Sequence, residues 1–407
     1  MNEIESLRSK SLRIKWAMFA FFFAQGLCFA SWASRVPDIK DFYGVHYAIY
    51  WGMILFLIPA GKFIAIPLAG YLVSNYGSRL MVQVSIVGYA LSLLTIGLSS
   101  QIIMLGIALF CFGVFWNLCD ISLNTQAIQI ERLFGKSLLA FFHGTWSIAA
   151  CVGALAGFVM IILKIQPLWH FFGIAVFCLG LVVLGRNYLL EDHEKEPEVK
   201  EEHAFKKVDF LLHPESLLLQ LGLVGVFALI VESAMFDWSA VYFKSVVNAP
   251  ESLRLGFLVF MVMMATGRFL TNTAYRLWGK RQVLRLAGML IFLGFMVTSL
   301  LGQSTDDLIL KVAINSIGFM MVGLGISCMV PTIYSFVGEN SKTPVGLALT
   351  ILSSISFLGS LIAPLLIGTV TQFFSLSIAY FIIGFLGLCI VLMATYAPAF
   401  KQHSKKG

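Results

Sequence analysis

The sequence predicts an all-α membrane protein with twelve transmembrane helices in two pseudo-symmetric six-helix bundles. Of its 407 residues 59% are hydrophobic and only 12% are charged, and apolar runs long enough to span a bilayer recur along the whole chain. Such a run needs about 20 residues. Soluble domains carry about 25% charged residues, so a soluble globule of this composition would lack polar residues for its surface. A soluble enzyme, a nucleic-acid-binding protein and a disordered scaffold are therefore excluded.

Polar breaks separate twelve apolar runs, and several breaks contain residues typical of turns, such as Gly77 and Pro167. The first run follows basic residues, as a secretory signal would. Because eleven more runs follow it and no small-residue cleavage site is evident, we expect a retained first span. The predicted spans are 16–34, 48–73, 80–99, 102–127, 138–163, 168–188, 216–243, 254–276, 283–302, 309–336, 345–371 and 375–397.

The basic residues predict the orientation of the chain. With the N-terminus inside, the inner segments hold most of the 28 Lys and Arg residues, which is the pattern of a positive-inside protein. We therefore interpret the net charge of +7 as a topology signal rather than as a sign of an anionic partner. The expectation is a multi-pass protein of the bacterial inner membrane with both termini in the cytoplasm.

A long polar stretch divides the chain into related halves. Residues 189–214 predict a cytoplasmic linker between a bundle at 1–188 and a second bundle with a short basic tail at 215–407. A duplicated six-helix unit with a solute site near the midplane is common among secondary transporters. Four pairs recur at nearly constant separation: Trp32 and Trp238, Gly77 and Gly279, Glu131 and Glu339, and Gly153 and Gly359.

Ionisable residues inside the predicted spans are candidates for function, because charge in the bilayer interior is costly. Asp120, Glu232 and His143 are the candidates for proton coupling. Each has a structural alternative: Asp120 could brace a neighbouring helix, Glu232 could form a permanent ion pair with Lys62 or Arg268, and His143 could make an ordinary helix contact.

Further polar and aromatic residues suggest contacts with a solute, because aromatic faces stack on sugar rings or cations, and carboxylates accept hydrogen bonds from hydroxyls. The alternative for the tryptophans is anchoring at the membrane interface. The substrate-binding candidates are Gln25, Trp32, Asn124, Asp237 and Trp238. The candidates for gating or ion pairs are Arg35, Lys62, Arg79, Glu131, Arg268 and Arg276.

Metal and cofactor sites are not indicated. The seven cysteines lie inside apolar runs without CxxC spacing, so we expect buried helix contacts and no metal, no catalytic residues and no cofactor. No phosphate-binding motif suggests ATP as the energy source.

Two loops resemble the loop pattern of the major facilitator superfamily. One follows span 2 and contains Gly70, Gly77 and Arg79, and the other follows span 8 and contains Arg276, Gly279 and Lys280. Ser74 and Asn75 replace the Asp-Arg pair usual in this loop, and span 4 lacks the usual Arg. Residues 29–39, 120–127, 142–147 and 232–240 resemble the bacterial YbjJ-like branch, related to fucose-type sugar/proton symporters. The resemblance implies the major facilitator fold with span 4 lining the cavity. An antiporter signature is absent from 153–157, which favours symport.

These observations predict a secondary transporter that works by alternating access and is not an enzyme. We expect a monomer in the lipid bilayer that takes up a small polar solute, a sugar or related metabolite, together with H+, and binds no nucleic acid. A proton-driven exporter of drugs or metabolites is the alternative within the same fold, and a greasy rather than polar cavity would favour it. A non-transporting membrane sensor is a remote alternative, because neither linker nor tail offers an output domain.

Overall fold

The computed structural model of the protein describes residues 2–134, 138–191 and 215–400. The α-helices in these ranges are α1 Asn2–Phe42, α2 Ala48–Tyr76, α3 Ser78–Leu98, α4 Ile102–Phe134, α5 Leu139–Ile162, α6 Pro167–Gly185, α7 Ser216–Ser245, α8 Gly256–Trp278, α9 Lys280–Ser299, α10 Leu308–Ser327, α11 Met329–Asn340, α12 Val345–Phe373 and α13 Leu376–Tyr396.

Twelve helical segments are long and apolar enough to cross a membrane. The described residues contain no β-strand. The predicted fold class and the number of spans are therefore confirmed.

Two spans differ in detail from the sequence-based expectation. Helix α1 continues through Pro37 to Phe42, beyond the predicted end of the first span at residue 34. The tenth span is divided at Cys328 into α10 and α11. Pro331 lies in the first turn of α11 and lacks the N–H that would bond the carbonyl of Ser327, so the helix cannot continue regularly.

The helices form two compact units. Unit 1 comprises α1, α2 from Ile54 onward and α3 to α6, and unit 2 comprises Tyr47–Met53 and α7 to α13. In unit 1, α1 packs on α5 and α6, and α3 packs on α4 and α6. In unit 2, α7 packs on α12 and α13, and α9 packs on α10 and α13. Corresponding helices thus make corresponding contacts, as expected for a duplicated bundle.

The predicted bounds of the two bundles at 1–188 and 215–407 stay a prediction. Residues 192–214 of the predicted linker lie outside the described residues.

Two of the repeated glycines perform the same packing role in each unit. A Cβ added to Gly153 of α5 would lie 2.9 Å from the Cβ of Ala30 on α1, and one added to Gly359 of α12 would overlap the carbonyl oxygen of Val226 on α7. The absence of a side chain lets each helix pair approach closely. The repeated Trp32 and Trp238 are both 1% exposed, so they also occupy equivalent buried positions.

The repeated glycines Gly77 and Gly279 form the sharp turns between α2 and α3 and between α8 and α9. Their φ angles are 83° and 74°, with ψ near 151° and 154°. This region is essentially restricted to glycine. The two turns therefore use the same backbone conformation, which explains why glycine stands at both positions.

The carboxylate of Glu215, immediately before α7, binds the turn between α11 and α12. Its Oε1 accepts hydrogen bonds from the backbone N–H and the hydroxyl of Thr343, each at 2.5 Å, and Oε2 accepts one from the N–H of Lys342 at 3.3 Å. Burial opposes ionisation of Glu215, but the hydrogen bonds donated by Thr343, Lys342 and Ser341 outweigh it and hold the pKa of this carboxyl below its usual value.

Replacing Glu215 by Ala is expected to destabilise unit 2 at neutral pH by roughly 1–2 kcal/mol, because charge-assisted hydrogen bonds are lost. A lowered pKa in the folded state stabilises the protein fully above the unfolded glutamate pKa of about 4.3, and this contribution disappears as the pH falls through the folded value. Thermal unfolding should therefore separate wild type from Glu215→Ala at pH 7 and much less below about pH 4. The exposed Asp306→Ala serves as control, and an equal difference at both pH values would contradict the assignment.

Candidate functional site

A cation–π contact joins α2 and α4 in unit 1. The ammonium Nζ of Lys62 lies 3.6 Å from the ring centroid of Trp116. The ring of Phe29 on α1 lies 4.7 Å from that of Trp116 and 5.7 Å from that of Trp146 on α5. We call Phe29, Trp116 and Trp146 the aromatic platform. Three helices provide its rings, and a fourth, α2, provides the ammonium that lies over Trp116. Such a surface attracts cations and stacks on the apolar faces of rings.

Close packing of α2 against α4 places Lys62 over Trp116. A Cβ on Gly61 of α2 would overlap the carbonyl of Phe110, and a Cβ on Gly113 of α4 would overlap the carbonyl of Ile58. Each helix therefore presents a glycine to the backbone of the other. Lys62 follows Gly61 directly, so this crossing sets its distance from α4.

One helical turn from the platform, α1 and α4 provide polar groups. Trp116 and Asp120 are four residues apart on α4, as are Gln25 and Phe29 on α1, so each pair shares a helix face. The amide Nε2 of buried Gln25 lies 3.5 Å from Oδ1 of Asp120, a long hydrogen bond. Oδ1 of Asn124, a further turn along α4, is buried without a hydrogen-bond partner in the described part of the chain. Unit 1 therefore combines an aromatic platform with an amide and a carboxylate.

In unit 2, an ion pair connects α7 and α8. Nη2 of Arg268 lies 3.6 Å from Oε1 of Glu232, and the two side chains are 28% and 17% exposed. The sequence left a permanent pair for Glu232 as one alternative, with Lys62 or Arg268 as its partner. The structure favours Arg268 within unit 2.

Asp237 lies further along α7, beside Trp238. The Trp238 side chain is 1% exposed, and its indole Nε1 lacks a hydrogen-bond partner among the described residues. Asp237 as a whole residue is half-buried. Trp32 of α1 is likewise enclosed and packs against the ring of Phe112 at 6.4 Å. The two tryptophans therefore lie in the packed interior of their units.

The remaining candidates of α1 and α5 lie in different surroundings. Arg35 is 3% exposed; its Nε lies 2.7 Å from Oδ2 of Asp38, and its Nη2 donates to the carbonyl of Ile165 at 2.6 Å. It therefore ties α1 to the turn between α5 and α6. His143 is exposed, and its ring packs edge-on against Phe22 at 5.5 Å.

In unit 1, ion pairs and hydrogen bonds hold the chain near the Gly77 turn. Nη1 of Arg79 lies 2.7 Å from Oε1 of Glu191. Glu131 accepts a hydrogen bond from the N–H of Leu138 at 2.5 Å. Ser74 and Asn75 both donate to the carbonyl of Tyr71, so they satisfy the end of α2 rather than forming an ion pair.

In unit 2, Lys280 pairs with Glu339 near the Gly279 turn. Arg281 donates to the carbonyls of Ala394 at 2.8 Å and Thr395 at 2.5 Å. Arg276 makes only an exposed contact with the Thr273 hydroxyl at 3.3 Å in the contacts recorded for it.

Sequence reasoning missed the aromatic platform, and Trp116 in particular. The available signal was its spacing, since Trp116 precedes Asp120 by one turn of the same helix. The contact with Lys62 required the crossing of two helices distant in sequence. The structure brings together Gln25 with Asp120 and Glu232 with Arg268.

The fold and these intramembrane groups are those of a multi-pass membrane transporter. A family model described as Major Facilitator Superfamily matches residues 17–345, and the chain therefore belongs to the Major Facilitator Superfamily. The predicted superfamily, and the expectation that the protein is not an enzyme, are thereby confirmed.

Three relatives match nearly the whole chain. It is 29% identical over 384 residues to the uncharacterised transporter y4wD of Sinorhizobium fredii, covering 94% of this chain and 97% of the relative. It is also 29% identical to an uncharacterised MFS-type transporter of Yersinia pestis, covering 93% of each. Membrane protein MosC of Rhizobium meliloti is 26% identical over 408 residues, with 99% of this chain and 94% of the relative covered.

Solved structures share the fold at low sequence identity. A variant of the nucleoside transporter NupG superposes with a TM-score of 0.77 at 10% identity, covering 94% of this chain and 99% of that one. A D-xylose-proton symporter also gives 0.77, at 13% identity, covering 95% and 98%. At these identities the likeness concerns the fold alone.

Proposed function

We propose that the protein is a monomeric, proton-coupled symporter of the YbjJ-like branch. It takes up a small polar solute, a sugar or related metabolite, across the bacterial inner membrane by alternating access, with both termini in the cytoplasm. The observation that carries this proposal is the surface of unit 1, where Lys62 lies over Trp116 one turn from the Gln25–Asp120 pair.

The chemistry of this surface fits a ring with hydroxyl groups. The apolar face of such a ring stacks on an aromatic platform, while its hydroxyls donate to a carboxylate and accept from an amide or an ammonium. Buried polar groups that need partners reject solutes unable to supply them. We accordingly assign Trp116, Lys62, Gln25, Asp120 and Asn124 to solute binding.

The other predicted residues have supporting roles in this proposal. Trp32 and Trp238 pack the interiors of their units, and Arg35 holds the turn between α5 and α6. Arg79, Glu131 and Arg276 are proposed to act in gating near the Gly77 and Gly279 turns, and His143 and Asp120 stay candidates for proton transfer.

The similarity to a D-xylose-proton symporter and a nucleoside transporter supports a polar solute, because both names describe carriers of hydroxylated ring compounds. Charged side chains inside the spans argue in the same direction. A lysine and a carboxylate inside the spans offer few favourable contacts to a greasy compound, which favours a polar solute over the exporter alternative.

Uptake into proteoliposomes under an imposed inward pH gradient tests this function. Labelled pentoses, hexoses, sugar acids, cyclitols and nucleosides form the set of solutes, with protein-free liposomes and a proton ionophore as controls. We expect at least one solute to accumulate only with protein and gradient together. No gradient-dependent accumulation of any of these classes would contradict the proposal.

Replacing Trp116 by Ala should then lower uptake at least tenfold, because stacking and the position of Lys62 are both lost; this corresponds to about 1.4 kcal/mol of binding free energy. Trp169, which is 63% exposed, provides the matched control. Trp169→Ala should transport like wild type after correction for protein content. Equal uptake by the two variants would show that Trp116 does not contribute to solute binding.

A further inference from the structure

The surroundings of Asp237 distinguish it from the other carboxylates of unit 2. We propose that Asp237 is the residue of unit 2 that takes up and releases the coupling proton, while Glu232 stays in its ion pair with Arg268. This assignment rests on the proposed symport. It replaces the sequence-based assignment of Asp237 to the solute and of Glu232 to the proton.

The charges inside unit 2 do not balance. Away from the helix ends, its described spans contain the carboxylates Glu232 and Asp237 and the guanidinium of Arg268. Glu232 and Arg268 pair at 3.6 Å, which leaves one carboxylate. Asp237 precedes the end of α7 at Ser245 by about 12 Å at 1.5 Å per residue, so it lies within the hydrocarbon region.

The helices packed on α7 do not supply a partner. Helices α12 and α13, its main neighbours, contain no charged residue. On the other neighbours, Arg268 of α8 pairs with Glu232, whereas Lys311 of α10 and Glu339 of α11 lie near the helix ends.

Tyr380 of α13 lies close enough to Asp237 to interact with it electrostatically, but its hydroxyl donates to the carbonyl of Ala234 at 3.3 Å. The hydroxyl of Tyr242, stacked on Tyr380, donates to the carbonyl of Thr298 at 3.2 Å. The Tyr380 hydroxyl thus has a backbone acceptor, and the Tyr242 hydroxyl has its own partners in Thr298 and Ser377. Within the described ranges, no hydrogen bond or ion pair to the Asp237 carboxylate is recorded.

This difference decides which carboxylate exchanges a proton. An ionised carboxylate without a partner is costly in an apolar interior, and binding a proton converts it to a neutral acid without any other bond changing. Protonating Glu232 would instead break its charge pairing with Arg268. Asp237 therefore changes protonation at the lower cost.

Infrared difference spectroscopy of the purified protein in lipid nanodiscs tests this assignment with the proton itself as the probe. Spectra recorded across a pH titration should show the carbonyl band of a protonated carboxyl. One of the carbonyl bands in this titration should be missing in Asp237→Asn, shifted in Asp237→Glu, and retained in Glu232→Gln and in the exposed control Asp306→Asn. A titration unchanged by Asp237→Asn, or loss of that same band in Glu232→Gln, would overturn the proposal.

Proteoliposome uptake separates this inference from the proposed function. If wild type accumulates a solute under a pH gradient, Asp237→Asn should reduce that accumulation at least tenfold, and undiminished accumulation by the variant would refute the role of Asp237. If wild type accumulates none of the tested solutes, the proposed symport fails, whereas the infrared band still reports whether Asp237 binds a proton.

Discussion

Arg268→Gln is expected to destabilise the protein by roughly 3 kcal/mol and to abolish transport, because it removes the ion pair that Arg268 forms with the Glu232 carboxylate inside the membrane. Removing one member of a buried ion pair costs about 3–5 kcal/mol. We expect the lower end of that range, since the two side chains are 28% and 17% exposed. The ion pair between α7 and α8 would then be lost within the membrane.

The measurement is the temperature at which detergent-solubilised protein loses its monodisperse fraction. Glu232→Gln combined with Arg268→Gln should recover most of the lost stability, because neither residue then carries charge. A single Arg268→Gln variant as stable as wild type, or a double variant less stable than the single one, would show that the pair does not stabilise unit 2.

Gly113→Val is expected to separate α2 from α4 and to cost about 3 kcal/mol, the upper range for overpacking, because the new side chain overlaps the backbone carbonyl of Ile58. A backbone atom cannot move aside as a flexible side chain can. The separation should also move Lys62 away from Trp116, so the remaining folded protein should take up solute more weakly.

Gly106 on the same helix supplies the matched control. A Cβ there meets only the end of the Leu57 side chain, at 3.1 Å. Gly106→Ala should therefore unfold near the wild-type temperature and retain uptake. If Gly113→Val unfolded at the same temperature as Gly106→Ala and retained uptake, the close crossing of α2 and α4 would not be required to place Lys62.

The spans and their repeat were predictable, because hydropathy and duplicated glycines depend on local sequence. The turns at Gly77 and Gly279 and the buried pair Trp32 and Trp238 occupy equivalent positions in the two units. By contrast, the sequence alone does not show whether the proline of the tenth span, Pro331, bends the helix or interrupts it. Pro37, Pro59, Pro67 and Pro364 lie within continuous helices, whereas the helix near Pro331 is interrupted.

The partners of the intramembrane charges were less predictable. A membrane helix is apolar toward lipid as well as toward its neighbours, so its hydrophobic periodicity does not show which face meets which helix. Lys62 could therefore be recognised as a buried cation, but its contact with Trp116 depends on the crossing of α2 with α4. For the same reason, the sequence assigned Glu232 to the proton and Asp237 to the solute, because the neighbours of these carboxylates depend on how the helices pack.

The most direct test of proton symport is the pH change that the solute itself causes. Proteoliposomes without any gradient are mixed with an excess of the accumulated solute while a dye reports the pH of the weakly buffered external medium. Inward symport predicts that the medium becomes more alkaline as protons enter with the solute, and that a proton ionophore abolishes the change. Acidification of the medium, or solute entry without any pH change, would contradict proton-coupled uptake.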